Sequence, residues 1–413
     1  MGKQVGCVTA VAVPDGMPAP FEQDQVATTG VVMLLVVTAL LVLTQLYLAI
    51  PLLVQVGQDF SAATTETVTF SLATSFSLAY AGGFLIWGPV SDQYGRRSVM
   101  LAGLAALSVA TYACVLAPSL SWLAVLRAVQ GFAASSFSPV ALAYLAESVP
   151  VHRRALVIGA MSTAFLVAGI FGQVLAAWVA LHWGWAWVFL VTGACLTVAI
   201  PLTAVMVKEP VRPPVEGHLG RRFLALAGIA GRPAVLLLSC AHIVLLLSFV
   251  AMYTALGPHL SMLGLDPGKV ILLRLFGLPG MFAALLAGPL AARVGMPLVA
   301  GIGYALAAAG LALEAALAHS LFGIAISSLV FVIGIALAVP SMITQYGALA
   351  VPNRAGGMAL NGFVLFIGAS MGPLIAAWVG SFTLLLTGLA VALLVAATCV
   401  AGSAALASSG RHP

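Results

Sequence analysis

The chain has 413 residues, of which 62% are hydrophobic and 7% are Asp, Glu, Lys or Arg, with a formal net charge of +5 and a mean hydropathy of +1.15. A water-soluble globular domain is excluded, because so few charges cannot solvate the outside of so apolar a chain. The apolar runs lack ten-residue alternation, which excludes an outer-membrane barrel and leaves spanning helices of about 20 residues each.

Residues 1–29 are more polar, carry Pro14, Pro18 and Pro20, and read as a flexible tail. Lys3 is a thin basic region with no compact apolar core and cleavage site behind it, so a signal peptide is not expected. Six apolar runs follow near 31–54, 67–90, 98–117, 122–146, 155–180 and 185–207. Six more lie near 234–257, 269–292, 297–317, 322–349, 356–379 and 382–405. Twelve spans put both chain ends on one side of the membrane.

The cations give that side. Arg96, Arg97, Arg153, Arg154, Lys208, Arg212, Arg221, Arg222, Arg232, Arg293 and Arg354 fall in alternate loops, with Lys3 and Arg411 on the tails of the same side. The opposite loops hold only Lys269. Positive charge collects in the cytoplasm, so both termini are expected there in the cell membrane. The basic pI thus reports topology, and nucleic acid is not an expected partner. Cys7, Cys114, Cys195, Cys240 and Cys399 show neither metal nor disulfide spacing.

An internal repeat runs through the chain at an offset of 200 residues. "GPVSDQYGRR" from Gly88 returns as "GPLAARVGMP" from Gly288, and "AAWV" at Ala176–Val179 returns at Ala376–Val379. The predicted fold is therefore an all-α polytopic membrane protein of twelve transmembrane helices in two pseudo-symmetric six-helix bundles. The bundles cover 30–207 and 234–405, joined by a Pro-, Gly- and Arg-rich linker at 208–233 and followed by a tail at 406–413. Paired bundles suit a rocking machine with its site between them near the midplane.

Between the second and third runs, residues 87–100 read "WGPVSDQYGRRSVM". Gly88 is expected at a close backbone approach and Gly95 in a turn that side chains resist. Asp92 stands at a helix end beside Arg96 and Arg97, where it can accept N–H groups from another helix N-terminus. This G-x-x-x-D-x-x-G-R-R pattern resembles the loop 2–3 signature of the major facilitator superfamily. "RAVQG" from Arg127 is similar to the fourth-helix motif of its proton-coupled members, "WGWAWVF" from Trp183 to the start of their sixth helix, and "QLYLAIPLL" from Gln45 to bacterial drug-exporter-like members. The resemblance spans residues 30 to 405. It implies a cytoplasmic latch in which Asp92 caps the eleventh helix near Gly356 and Gly357 and Arg96 or Arg97 pairs with Glu147. In the second half Ala292, Met296 and Pro297 replace the charged positions, which implies a weaker latch there.

The same resemblance places the cavity among helices 1, 2, 4, 5, 7, 8, 10 and 11. Polar residues within those runs are candidates for substrate or coupling, since polar groups in hydrocarbon demand partners. They are Gln45, Tyr47, Tyr80, Arg127, Gln130, Gln173, His242, Tyr253, Gln345 and Asn361, with Arg274 near a helix start where it can snorkel to the surface. Arg127 keeps its charge and must be held. His242 has the intrinsic pKa range of a proton shuttle. Glu314, near the end of the ninth run, reads as an interfacial carboxylate. The first-helix acid and the complete fifth-helix motif of many drug/proton antiporters are missing, since Gly169, Ile170, Phe171 and Gly172 contain no proline. No phosphate loop, metal-ligand spacing or nucleophile constellation occurs, so no enzyme and no cofactor is expected.

The leading expectation is a monomeric secondary transporter, exporting neutral or anionic drug-like compounds in exchange for protons. An importer or facilitator of a small organic anion is the alternative, and a non-transporting membrane scaffold or sensor the second.

Overall fold

The structure is a computed structural model describing residues 27–61, 64–209, 219–351 and 354–409. The tail at 1–26 and parts of the linker and C-terminal tail lie outside the described residues. In the first half the chain runs through α1 (Thr29–Tyr47), α2 (Ala49–Asp59), α3 (Thr65–Thr69), a π-helical segment at Phe70–Thr74, α4 (Ser75–Tyr94) and α5 (Arg96–Val115). It continues with α6 (Leu120–Ala134), α7 (Ser138–Ser148), α8 (Val151–Trp183) and α9 (Trp185–Met206). A short α10 (Leu219–Ala230) precedes α11 (Pro233–Met262), α12 (Pro267–Leu275), a 3-10 segment at Leu278–Ala283 and α13 (Ala284–Val294). The last elements are α14 (Met296–Ala316), α15 (Leu321–Leu349), α16 (Arg354–Val379) and α17 (Phe382–Ser409). Among the described residues every element is helical, because hydrocarbon offers no partner for a backbone N–H or C=O and a helix satisfies both internally.

Among the described residues eleven helices are long and apolar enough to cross a membrane. The twelfth expected span, the fourth along the chain, is present as α6 and α7 end to end. Its break at Ser135–Phe137 has a local cause. Ser135 and Ser136 donate their hydroxyls back to the carbonyls of Phe132 and Ala133 at 2.8 and 2.7 Å, and Pro139 has no N–H with which to continue the ladder. The first span is likewise divided into two helices, which meet at Leu48 ahead of Pro51.

The repeat in the sequence is a repeat in the packing. α1 lies on α8 as α11 lies on α16, and α5 lies on α6 as α14 lies on α15. Glycine permits both of the first pair. A methyl at Gly172 would sit 3.1 Å from the Thr44 carbonyl oxygen, and one at Gly372 2.9 Å from that of Leu247. Gly95 and Gly295 close α4 and α13 with φ of 94° and 87°, the left-handed region that side chains resist. Gly88 differs from the expectation. Nothing lies within 4 Å of a methyl placed there, because the residue faces a cavity and not a neighbouring backbone.

The two halves meet through α4 against α16 and α8 against α12. The described part of the linker forms α10, which packs on α4, α11 and α16 and so spans both halves. Large apolar side chains cover the outside; Trp378 of the repeated "AAWV" is 84% exposed, as a lipid-facing surface requires.

Close glycine packing is testable. A methyl at Gly368 would lie 2.1 Å from the Ile243 carbonyl oxygen, whereas Gly88 has open space. Gly368→Ala is expected to lower the stability of the purified protein by about 1–3 kcal/mol through overpacking, and Gly88→Ala to leave the thermal midpoint unchanged. Equal midpoints for both variants would refute the packing argument.

Candidate functional site

Two cavities enter the molecule from opposite ends and share no lining residue. The first, about 810 Å³, reaches from Asp92, Arg96 and Glu147 inward to Tyr47, Tyr80 and Phe366. The second, about 800 Å³, reaches from Gln58 and Met262 inward to Ile50, Thr254 and Arg274. On α8 the lining passes from Leu166 to Ala177, on α11 from Leu246 to Thr254 and on α16 from Phe366 to Ala376. At 1.5 Å per residue the septum measures roughly 12–17 Å along these three helices and is thinnest along the first span, where the lining passes from Tyr47 to Ile50.

The septum is where the halves touch most specifically. Tyr47 meets Phe249 edge-on with ring centroids 5.9 Å apart, and Tyr80 meets Phe366 at 4.5 Å. Thr74 donates its hydroxyl to the Ser370 carbonyl at 3.1 Å. Arg274 Nη1 donates to Gln173 Oε1, from α12 to α8. Aromatic edges and two polar bonds thus close the path between the cavities.

The sequence candidates divide. Tyr47, Tyr80 and Asn361 line the first cavity, Arg274 lines the second, and Gln45, Arg127, Gln130, Gln173, His242, Tyr253 and Gln345 line neither. Arg127 is fully buried within the first half. Its Nε donates to the Leu72 carbonyl at 2.7 Å, Nη1 to Gln130 Oε1 at 2.5 Å and Nη2 to the Gln45 carbonyl at 3.0 Å. The guanidinium lies over the Phe76 ring at 4.4 Å. Gln130 extends the network to Gln45 Oε1 and Thr111 Oγ1 at 3.0 and 2.8 Å. In this conformation the group ties the first, second and fourth spans together and meets neutral acceptors and π faces.

Arg274 does not snorkel. It is 4% exposed, Nη2 donates to the Tyr253 carbonyl at 3.4 Å, and Nε has no partner. Its helix starts at Pro267 and turns this side chain toward α8 and α11 instead of the surface. Glu314 is likewise no interfacial carboxylate, for it is fully buried. In α11, His242 is also fully buried; its ring faces Asn361 outside regular hydrogen-bond geometry and lies 5.4 Å from the Tyr346 ring. Gln345 donates to the Ser341 carbonyl at 3.4 Å.

At the mouth of the first cavity Arg96 is 7% exposed. Its Nη2 meets Asp92 at 2.6 Å and Glu147 at 2.8 Å, and Nη1 donates to Ser91 Oγ at 2.5 Å. Arg97 donates from Nη2 to the Ala204 carbonyl at 2.7 Å. Gly356 and Asp92 share the cavity wall, while residues 352–353, just before α16, lie outside the described residues. Glu209 is a member of this cluster that sequence reasoning assigned to the linker. Its carboxylate accepts the amide hydrogens of Arg96 and Arg97, each at 2.7 Å, and caps α5. The available signal was the start of α5. Gly95 provides no capping side chain, so the exposed N–H groups need an acceptor from elsewhere.

Paired vestibules, a thin septum and duplicated bundles define an all-helical polytopic membrane protein built for passage between two sides. The sequence profile of the Major Facilitator Superfamily matches residues 35–373, and the chain belongs to that superfamily, a family of transporters and not of enzymes. It is 30% identical over 136 residues to the "Fatty acid resistance protein FarB" of Neisseria gonorrhoeae, covering 33% of this chain and 26% of the relative. It is 35% identical over 130 residues to the "Gallate transporter" of Pseudomonas putida, covering 32% and 29%. It is 31% identical over 173 residues to the "Multi-drug resistance efflux pump PmrA homolog" of Lactococcus lactis, covering 41% and 42%. The matched stretch spans between about a quarter and two fifths of each of these relatives.

Arg127 yields a stability prediction. Lysine keeps the charge but not the planar five-donor fork, so Arg127→Lys and Arg127→Ala both leave buried acceptors unmatched. Each is expected to cost about 1–3 kcal/mol, the range for leaving a buried hydrogen-bonding group unsatisfied, read as a lower thermal midpoint in detergent. A lysine variant as stable as wild type would refute the role of the fork.

Proposed function

We propose that the protein is a monomeric secondary transporter of the cell membrane that moves a small, largely apolar, neutral or anionic organic molecule by alternating access. Export coupled to inward proton movement is the reading adopted. The observation that carries the substrate sign is Arg274. Among the described residues lining the second cavity it is the one Lys or Arg side chain, with no Asp or Glu beside it. A lipophilic cation entering so apolar a site needs a countercharge, and an anion finds one in Arg274. Two relatives are named for organic acids, fatty acid and gallate, and a third for multidrug efflux; these names support an acidic or drug-like cargo. Uptake of a small organic anion is the second reading, favoured by the same guanidinium. The loop between α4 and α5 is placed in the cytoplasm, as the cation asymmetry supports, with both termini on that side.

Asp92, Arg96, Arg97 and Glu147, with Gly88 and Gly95, form the proposed latch on that face. Asp92 and Glu147 compete for one Arg96 nitrogen, so removing one charge loosens the cluster without touching the septum. Asp92→Asn is expected to shift the inward–outward balance by about 0.3–2 kcal/mol. In a cysteine-free background, labelling at Met358→Cys on the first cavity wall then rises severalfold; unchanged labelling with normal transport refutes the latch.

The substrate test uses everted vesicles from a strain lacking its own exporters, with laurate, gallate and ethidium as probes, with and without a protonophore. Gradient-dependent accumulation of an acid and neglect of ethidium is expected. Arg274→Ala is expected to weaken the acid by about 1.5–3 kcal/mol, the worth of a hydrogen bond to a charged group. Robust ethidium export with both acids ignored overturns the substrate sign, and accumulation insensitive to the protonophore favours facilitation.

A further inference from the structure

Offset by 200 residues, Glu314 is the twin of Cys114, and Ser327 is the twin of Arg127. In the first half Cys114 lies against the Arg127 network, with its thiol 3.8 Å from Gln130 Oε1. The second half has an acid at the corresponding place and no arginine opposite it. Glu314 sits in the last turns of α14, is 0% exposed, and neither carboxylate oxygen has a hydrogen-bond partner. An ionised carboxylate so enclosed loses its hydration and gains no partner in return, whereas the neutral acid fits.

The ionisable groups around it can be named helix by helix. From α11 come Tyr253, within electrostatic reach of Glu314, and His259. The Tyr253 hydroxyl faces Ser328 without a regular hydrogen bond. From α12 comes Arg274, held on the Tyr253 carbonyl, with Lys269 paired to Asp266 at the exposed start of that helix. On α15 Ser327 returns its hydroxyl to the Gly323 carbonyl at 2.5 Å, and Tyr346 lies near the far end. On α13 Arg293 lies at the opposite end of α14, beside Gly295. α17 contributes only Cys399, which neighbours Tyr304 further along α14. Exposed His319 follows in the turn.

One route leads in from water. His259 lines the second cavity and holds the carbonyl of Ala318 at 2.7 Å, in the turn four residues after Glu314. Tyr253, whose carbonyl Arg274 holds, stands on the other side, so the acid lies just behind the cavity wall.

We propose that Glu314 is the proton-binding site of the transport cycle, reached through the second cavity past His259. The carboxylate accepts one proton from water of that cavity and holds it as the neutral acid in the conformation seen here. When the alternation exposes the acid to the other side, the O–H bond breaks and the proton returns to water, so one proton crosses per cycle. This rests on the proton-coupled reading above and assigns its titrating group.

The test uses the purified full-length protein. Infrared difference spectra between about pH 5 and about pH 9, in H₂O and D₂O, are expected to show a carboxylic C=O band that titrates in wild type and is absent in Glu314→Gln. This band is read without substrate. In proteoliposomes with laurate as probe, the ratio of pH-gradient-driven accumulation to counterflow is expected to fall at least tenfold in Glu314→Gln and to survive in Glu314→Asp. Glu314→Gln is isosteric with the neutral acid and is expected to remain folded and monodisperse; an unfolded variant would show that an uncharged polar group is not accommodated at this site and overturn the proposal. A band that persists in Glu314→Gln, or gradient-driven accumulation equal to wild type, removes Glu314 and leaves proton coupling standing. Wild-type laurate counterflow without any gradient-driven accumulation overturns the proton-coupled reading itself.

Discussion

A polar group inside a bilayer can be satisfied only by another part of the same chain, and the interior of this protein is arranged around that constraint. Arg127 is surrounded by carbonyls, an amide and aromatic faces, and in meeting them it draws three spans together. Arg274 finds part of its complement on the Tyr253 carbonyl of its own half and part across the septum on Gln173, so its desolvation is most fully offset while the halves are apposed there. Glu314 finds none. The series runs from a cation fully provided for, through one partly provided for, to an acid that fits only as a neutral group. The degree of satisfaction follows function as proposed: structural tie, cargo contact, proton site.

Small residues supply the other half of the design. Lipid gives helices no hydrophobic reason to associate, so close packing must come from contact between backbones. Gly172 and Gly372 bring α8 to α1 and α16 to α11 at twin positions. The duplicated halves therefore share a mechanical frame but differ in charge: the cluster around Arg96 has no charged counterpart at Ala292, Met296 and Pro297. The loop between the second and third spans is held by ion pairs, and its twin in the other half lacks charged partners at those positions. High salt acts on the first and leaves the second alone.

Much of this architecture was legible in the chain. Twelve apolar runs, the offset of 200 and the glycines at Gly95 and Gly295 follow from hydropathy and backbone chemistry, both of which are local. The break between α6 and α7 was not seen, because hydropathy averages over Ser135, Ser136 and Pro139 although each disfavours a continuous helix. The site was less legible. Glu209 caps a helix more than a hundred positions away, and no local pattern reports so distant a partner. Arg274 and Glu314 stand near the ends of apolar runs, where a sequence suggests contact with water. Burial there depends on which face the helix presents to its neighbours, and a linear position does not carry that angle.

Arg274 has one more consequence, electrical in kind. A fixed cation on a cavity wall travels through whatever share of the transmembrane field the alternation sweeps. Moving one elementary charge through 100 mV is worth about 2.3 kcal/mol. With an anion aboard, the pair is neutral and the guanidinium adds nothing to the voltage dependence of the loaded step. The empty carrier returns with its guanidinium bare, and that step feels the membrane potential. Through Arg274 voltage would then act on the resetting step, which makes the resting potential a brake or an accelerator on turnover according to the direction of the empty step.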